Sequence, residues 1–171
     1  LDFDRDGNLW FTTPTTQTCL HVMLSDGSTV GMGLGNEGLN LLFNDVEVTR
    51  DGYVWVALTS GKGVLVYNPN GTPDNPNDDN WVILNANEGE GGLPSNDVFC
   101  IEEDLDGEIW VGTAKGPCVF YQSASVFESE VTASQILISQ DGNLQYLLET
   151  DFVQSIIIDG GTRTTFLTLG R

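Results

Sequence analysis

The chain has few basic residues, and this shortage excludes whole classes of partner. Lys and Arg together number 6 among 171 residues, against 25 Asp and Glu, and the net charge is -19. Nucleic acid is excluded, because binding it depends on Lys and Arg that neutralise phosphates. An anionic membrane surface is disfavoured for the same reason. A cation, a neutral glycan or a basic protein surface is compatible with the negative field of such a chain.

Histidine, cysteine and long apolar runs are scarce as well. His21 is the single histidine and stands in an alternating apolar strand, so this chain alone cannot supply a zinc site or a His-paired catalytic centre. The odd number of cysteines predicts buried thiols rather than a disulfide framework: Cys19, Cys100 and Cys118. No run approaches the roughly 18 apolar residues of a membrane span. We therefore expect no catalytic residue, no cofactor and no membrane-spanning segment.

One hairpin, in contrast, occurs four times. The copies are DRDGNLWFTT at Asp4–Thr13, TRDGYVWVAL at Thr49–Leu58, DLDGEIWVGT at Asp104–Thr113 and a divergent DGGTRTTFLT at Asp159–Thr168. They recur at intervals of about 45–55 residues, which is typical of the four-stranded blades of a propeller. This period predicts a radial β array rather than a solenoid of helices.

The repeats contain enough alternating segments for four strands each. The second repeat predicts strands at Asp45–Thr49, Tyr53–Leu58, Gly63–Asn68 and Trp81–Asn85. The third repeat predicts strands at Asp97–Glu103, Glu108–Thr113 and Pro117–Tyr121. Its continuation, Ala133–Thr150, predicts either an extra hairpin or a fourth strand with an insertion. The first repeat is entered partway through its opening strand, and the last ends after its second strand.

The predicted fold class is all-β, a β-propeller fragment of about three four-stranded antiparallel blades. We expect residues 1–171 to form one partial propeller, with repeats beginning near residues 1, 45, 97 and 151. Propellers usually close with about 4–8 blades, and closure protects their strand edges. Three blades leave two open edges. We therefore expect that the remaining blades belong to a longer chain or that the propeller closes as a homo-oligomer.

Trp10, Trp55 and Trp110 occupy the same position in three repeats, and Thr165 takes this place in the fourth. A large apolar side chain here is expected to fill the space between neighbouring blades. The alternative is a ring of aromatic side chains that stack on sugars, but such a ring would be expected in the loops. We predict core packing for these indoles.

Asp-Gly pairs mark the tight turns of three repeats, because glycine supplies the positive φ that a hairpin turn needs. Arg5, Arg50 and Arg163 belong to equivalent turns of separate blades, so they are not expected to form an anion clamp together. We expect all four arginines to be solvated: Arg5, Arg50, Arg163 and Arg171.

The segment Asn68–Asn80, NPNGTPDNPNDDN, is dense in Asn, Asp and Pro. Oxygen-bearing side chains in it could bind a hard cation such as calcium: Asp74, Asn75, Asp78 and Asp79. The same composition is typical of a solvated connection between outer strands. The prediction is that the chain has no metal site, with calcium binding at this segment as the alternative.

The run LPSNDVFCIEEDLDGEIWVGTAKGPCVFY, Leu93–Tyr121, resembles the two-component-regulator propeller repeat, in which a strand precedes D-x-D-G-x-x-W-V-G-T and a Gly-led strand. A longer order is similar to the PorZ-type propellers of type IX secretion in Bacteroidetes. It comprises GTPDNPNDDNWVILNANEGEGGLPSND, the blade of Cys100, SVFES and DGNLQYLLETDFVQSIIIDGG. The fourth copy departs from the repeat pattern at Thr165.

The resemblance implies a non-enzymatic binding or scaffolding propeller of the bacterial cell envelope, in the periplasm or at the cell surface. It implies a role in attaching type IX secretion cargo to anionic lipopolysaccharide, with an envelope protein or a polysaccharide as partner. The alternative that it implies is an extracellular glycan-sensing domain of a hybrid two-component regulator. Because the matching positions are structural, the ligand-binding residues stay unknown from the sequence.

Two enzymatic propellers share parts of the repeat pattern. Sialidase-type Asp boxes place Asp two residues before the Gly, where this chain has Arg5, Arg50 and Leu105. Streptogramin-lyase-like propellers share D-x-x-G-x-x-W, as in Asp4–Trp10, but would need catalytic His and metal chemistry. The sequence therefore predicts no enzyme.

Overall fold

The computed structural model of the chain describes residues 1–13, 18–34, 43–59, 61–159 and 163–169. The residues outside these ranges include Ser60, residues 160–162 of the fourth hairpin copy and Arg171. Three four-stranded sheets and two two-stranded sheets are formed within them. The described residues include no helix that is both long and apolar enough to cross a membrane.

Each four-stranded sheet, or blade, is a meander in which consecutive strands pair antiparallel. Blade 1 consists of β1 Asp2–Phe3, β2 Leu9–Thr12, β3 Leu20–Met23 and β4 Thr29–Met32. Blade 2 consists of β5 Phe43–Val48, β6 Val54–Leu58, β7 Gly63–Asn68 and β8 Asn80–Leu84. Blade 3 consists of β9 Val98–Glu103, β10 Ile109–Thr113, β11 Gly116–Phe120 and β12 Ser134–Gln135.

The end of the chain contains a hairpin and an incomplete blade. The hairpin is formed by β13 Leu137–Gln140 and β14 Asn143–Tyr146, and blade 4 by β15 Phe152–Asp159 and β16 Arg163–Leu169. For the continuation of the third repeat, the structure contains both predicted features, because β12 is the fourth strand of blade 3 and the hairpin is an insertion after it. The predicted all-β architecture is confirmed.

Tight turns fix the opening hairpins of blades 1, 2 and 3. Gly52 has φ 83° and Gly107 has φ 85°, a backbone conformation that favours glycine. The amide of Gly52 donates to the carbonyl of Thr49 at 2.9 Å, and that of Gly107 to the carbonyl of Asp104 at 3.2 Å. The first two strands of a blade are therefore joined by the turn that the Asp-Gly pair predicted.

The blades stack face to face in chain order, and their first strands adjoin: β1 with β5, β5 with β9, and β9 with β15. Alternation along β6 sends Val54 and Val56 into a core cluster shared with blade 1. Trp55 and Ala57 of the same strand enter the cluster shared with blade 3. The core therefore lies between the sheets, as in a propeller.

The tryptophans fill these interfaces. Trp10 packs against Tyr67 of blade 2, with ring centroids 6.2 Å apart, and both side chains are buried. Trp55 packs in the same way against Phe120 of blade 3 at 5.5 Å. The prediction that the indoles pack in the core is confirmed for Trp10 and Trp55.

The face of blade 4 that corresponds to the tryptophan-bearing faces of the other blades is different. Thr165 pairs with Ile157, and this pair occupies the position that Trp110 and Glu102 occupy in blade 3. Ile157 is 62% exposed on this face. Trp110 itself packs against Phe166 of blade 4 and is only partly buried. The substitution of tryptophan by threonine leaves this last face without the aromatic that fills the other interfaces.

Blades 3 and 4 approach closely at Gly112. A Cβ atom added there would lie 2.4 Å from the Cys100 sulfur and 2.7 Å from the carbonyl oxygen of Val153 in blade 4. Both distances are shorter than non-bonded atoms tolerate. Glycine at this position therefore allows the two sheets to pack at their observed separation.

Gly112→Ala is expected to lower the free energy of unfolding by about 1–3 kcal/mol or more, because one of the two sheets must move. Gly33→Ala is the matched control, since an added Cβ meets no atom of the described residues within 4 Å there. Guanidinium denaturation of both variants measures the difference. Equal stability of the two variants would contradict the close approach.

Candidate functional site

The first Asp of the repeat motif holds the turn together. Asp104 Oδ1 accepts hydrogen bonds from the amides of Asp106 and Glu108, both at 2.9 Å. Its Oδ2 accepts a hydrogen bond from the indole nitrogen of Trp110 at 3.0 Å. One carboxylate thus ties the turn to the tryptophan on the next strand, which explains the motif spacing D-x-D-G-x-x-W.

Blade 1 repeats this arrangement. Asp4 accepts hydrogen bonds from the amides of Asp6 and Asn8 at 3.0 and 2.8 Å, and from the indole of Trp10 at 3.1 Å. Burial alone would raise the pKa of Asp4, but the hydrogen bonds from Asn8, Trp10 and Asp6 together lower it below its ordinary value. The carboxylate is therefore stabilised in its charged form by the turn that it supports.

Blade 2 lacks this acceptor. Thr49 stands where the other two blades have Asp, and its hydroxyl donates to the carbonyl of Tyr53 instead. The indole nitrogen of Trp55 is buried and has no hydrogen-bond partner among the described residues. An unpaired buried donor costs free energy, so the turn of blade 2 is less well satisfied than its neighbours.

Asp104→Ala is expected to lower the free energy of unfolding by about 2–3 kcal/mol, because two turn amides and the partly buried indole of Trp110 lose a charged acceptor. Asp106→Ala, two residues along the same turn, is the control and should change stability by less than about 0.5 kcal/mol. Thermal and chemical denaturation measure both. Equal effects of the two substitutions would show that the hydrogen bonds to Asp104 do not stabilise the turn.

Arg50 connects the turns of blades 2 and 3. Its guanidinium donates to the carbonyl of Leu105 at 2.6 Å and to the carbonyl of Asp104, and lies 3.4 Å from the carboxylate of Glu103. The prediction that all the arginines are simply solvated is wrong for Arg50, although its side chain remains 41% exposed. Three acceptors of the next blade fix this side chain in place.

Two recesses open on the face formed by the Asp-Gly turns and by the connections between third and fourth strands, here called the turn face. The recess between blades 1 and 2 has a volume of about 210 Å³. The equivalent recess between blades 2 and 3 has a volume of about 260 Å³. Its lining includes one arginine, three carboxylates, an exposed aromatic ring and two uncharged polar side chains: Arg50, Asp51, Glu103, Asp106, Tyr121, Gln122 and Ser123.

Such a lining suits a small neutral or cationic group. Arg50 in the second recess already contacts Glu103, so its charge is offset within the protein. Asp106 at the rim is exposed and adds negative charge. Hydroxyl or amine groups of a ligand could therefore bind there, whereas an anion would meet repulsion.

Carboxylates on the first strands join neighbouring blades. Asp2 Oδ2 accepts a hydrogen bond from the amide of Val48 at 2.9 Å, and Glu47 Oε1 accepts one from the amide of Glu103 at 3.3 Å. Asp2 and Glu47 occupy equivalent positions, each paired with the tryptophan of its own blade. Each carboxylate thus satisfies a backbone amide of the next first strand.

These carboxylates lie close enough to perturb one another. Burial, with the nearby charges of Asp2 and Glu102, raises the pKa of Glu47 from its ordinary 4.5 to about 8. Burial, with the charges of Asp45 and Asp2, also raises the pKa of Glu102. Sequence reasoning missed this group. The signal was present, because an acidic residue recurs six to eight positions before each tryptophan.

The segment proposed as a calcium loop engages its carboxylates internally. The hydroxyl of Thr72 donates to Asp78 at 3.1 Å, and the phenol of Tyr67 donates to Asp79. The other two candidate ligands take no part in these bonds: Asp74 and Asn75. Among the described residues, no three His, Cys, Asp or Glu side chains are placed to hold a metal ion. The calcium alternative draws no support from these contacts.

The histidine and two of the cysteines, Cys100 and Cys118, lie in strands, and Cys19 directly precedes β3. His21 is a residue of β3, stacks on Phe11 with ring centroids 5.3 Å apart, and forms a hydrogen bond with Thr13 at 3.0 Å. The predicted buried, unpaired thiols are confirmed at Cys19, Cys100 and Cys118. Burial raises the pKa of Cys100 to about 12, so this thiol is not poised to react.

Part of the chain matches a known repeat family. Residues 92–115 match the family model described as Two component regulator propeller. These residues contain β9, β10 and the Asp-Gly turn between them. Blade 3 is therefore similar to a repeat of this family, and the resemblance predicted from the sequence is confirmed. No curated protein matches the chain by sequence.

The fold is similar to those of solved propellers. PorZ is described as an essential bacterial surface component of the type-IX secretion system of Porphyromonas gingivalis. It matches with a TM-score of 0.83 and 24% identity, over 97% of this chain and 24% of PorZ. Virginiamycin B lyase from Staphylococcus aureus matches with a TM-score of 0.54 and 12% identity, over 98% of this chain and 54% of the lyase. At these identities the similarities show the β-propeller fold alone, and this chain spans about a quarter of PorZ.

Proposed function

We propose that the chain is part of a non-enzymatic binding or scaffolding propeller of the bacterial cell envelope, which helps to attach the cargo of type IX secretion. The observation that carries this proposal is the similarity to PorZ, which extends over 97% of the chain with a TM-score of 0.83. The same similarity supports a position in the periplasm or at the cell surface, because PorZ is a bacterial surface component.

The packing of the blades supports a binding role. Trp10 and Trp55 fill the blade interfaces and are at most 1% exposed, so the interfaces leave little room for a substrate. His21 lies on blade 1 and is engaged by Phe11 and Thr13. The recess between blades 2 and 3 is open to solvent and lined mainly by polar and charged side chains, which suits recognition at the surface rather than an enclosed reaction.

Charge limits what the turn face can bind. With a net charge of -19, the protein repels phosphates and other anions at long range. A partner polysaccharide, including lipopolysaccharide, is therefore expected to present neutral or amino sugars to the turn face. An envelope protein partner is expected to present a basic surface.

A second candidate function is an extracellular glycan-sensing domain of a hybrid two-component regulator. The match of residues 92–115 to the two component regulator propeller favours it. The two candidates differ in the domain that is joined to the C-terminal end of the propeller. A histidine kinase after a membrane-spanning helix would favour the sensor, and a secretion signal domain would favour cargo attachment.

Deletion of the gene from its bacterium tests the proposal. In the deletion strain, type IX cargo is expected to be released from the cell surface into the medium. Complementation with the intact gene is expected to restore its retention at the surface. Immunoblots of cell and medium fractions measure both. Unchanged retention together with loss of a glycan-induced transcriptional response would favour the sensor. Turnover of a streptogramin by the purified protein would contradict a non-enzymatic role.

A further inference from the structure

The inserted hairpin has an exposed apolar face. Leu137 pairs with Tyr146 and Ser139 pairs with Leu144, so these four side chains share one face. Leu137 is 56% exposed, Leu144 73% and Tyr146 43%. On the opposite face Ile138 is half-buried. Three large apolar side chains therefore stand together in solvent.

The hairpin is held firmly to the body of the protein. The amide of Leu147 donates to the carbonyl of Ile136 at 2.8 Å and closes the base of the hairpin. Leu148, the next residue, packs against the core cluster between blades 3 and 4. Asp141 and Gly142 have φ 53° and 82°, the backbone pattern of a type I′ turn. The apolar face is thus presented in a defined position.

This face lacks a partner within the described part of the chain. Strands β13 and β14 pair only with each other, so each has a free edge of backbone amides and carbonyls. A two-stranded hairpin by itself is only marginally stable in water. A contiguous apolar surface on such an edge is typical of a site where another strand binds.

The surrounding charge indicates the kind of partner. The hairpin and the segment that follows it, residues 137–151, contain three carboxylates and no Lys or Arg: Asp141, Glu149 and Asp151. A second copy of this chain would bring a further net charge of -19 to the same surface, which opposes self-association. A segment that combines apolar side chains with Lys or Arg complements both the apolar face of the hairpin and the negative charge beside it.

We propose that the hairpin is a docking surface for a basic protein segment in extended conformation. The segment adds as a third strand at the free edge of β14 and places alternate apolar side chains beside Leu144 and Tyr146, while its Lys or Arg side chains face the carboxylates. This surface lies away from the turn face, and the inference does not depend on the type IX assignment.

Calorimetry with a synthetic peptide of alternating Lys and Leu tests the proposal. Leu144→Ser is expected to weaken binding by about tenfold or more, because the buried area of a leucine is lost. Leu105→Ser is the matched control, since Leu105 is 61% exposed but lies in the turn of blade 3, and it should leave binding unchanged. A peptide of alternating Lys and Ser should bind at least about tenfold more weakly to the unmodified protein.

Charge variants at Ser139 give a second test that does not remove apolar area. Ser139→Lys is expected to weaken binding of the Lys-Leu peptide, and Ser139→Glu to strengthen it, at low salt. Equal binding of the two peptides would overturn the proposal, as would equal effects of Leu144→Ser and Leu105→Ser. A dimer in sedimentation that Leu144→Ser dissociates would also overturn it, because a second copy would then be the occupant.

Discussion

Trp10→Ala is expected to lower the free energy of unfolding by about 3–5 kcal/mol, the loss typical of a core aromatic. The indole is 1% exposed and packs against Tyr67 of the next blade. Its removal leaves a cavity between two sheets and also deprives Asp4 of a hydrogen-bond donor. Guanidinium denaturation followed by circular dichroism measures the change.

Trp110→Ala is the comparison within the same motif. Trp110 is only partly buried, because it packs against the two-stranded blade 4. Its loss is therefore expected to cost less than that of Trp10 by about 1 kcal/mol or more. A larger loss at Trp110 than at Trp10 would mean that the indoles do not stabilise the protein through the blade interfaces.

Glu47→Gln is expected to stabilise the protein at alkaline pH and to leave it unchanged near pH 4.5. The pKa of Glu47 is about 8 in the folded protein, against an ordinary 4.5. Between these values the unfolded chain has released the proton that the folded protein still holds, so stability falls as pH rises through this window. Glutamine keeps the acceptor for the amide of Glu103 without the charge.

The expected gain of Glu47→Gln at pH 8 is about 1–3 kcal/mol, after allowance for the partial exposure of the side chain. Glu149→Gln is the control, because Glu149 is exposed on the surface. Stability curves from pH 4.5 to about 9 for the three proteins give the comparison. Parallel curves for Glu47→Gln and the unmodified protein would contradict the buried, crowded position of this carboxylate.

Much of the fold could be predicted because the determining signals are local. The Asp-Gly pairs fix the turns, and the alternation of Val54, Trp55 and Val56 fixes which face of β6 meets which neighbour. The repeat of the tryptophan then shows that successive sheets pack in the same way. The open question after Tyr121 arose because the two-residue strand β12 carries too short a pattern to be recognised.

Contacts between blades could not be predicted, because they join residues far apart in the chain. Asp2 reaches the amide of Val48, and Arg50 reaches the carbonyls of Asp104 and Leu105. No spacing within one repeat encodes such a contact. The direction in which each side chain leaves its strand becomes known only when the blades are placed side by side.

Thr49 shows a further limit of motif reading. The second repeat keeps the turn glycine and Trp55, so the motif looks intact in sequence. The structure shows that the indole nitrogen of Trp55 is left without an acceptor. A motif can therefore keep its fold while losing one of its stabilising bonds.

The most direct test of blade-to-blade packing is a set of nuclear Overhauser contacts between aromatic rings. The structure predicts contacts from Trp10 to Tyr67 and from Trp55 to Phe120, in each case between consecutive repeats. Indole protons that contact only side chains of their own repeat, with no signal to the following one, would contradict the propeller arrangement.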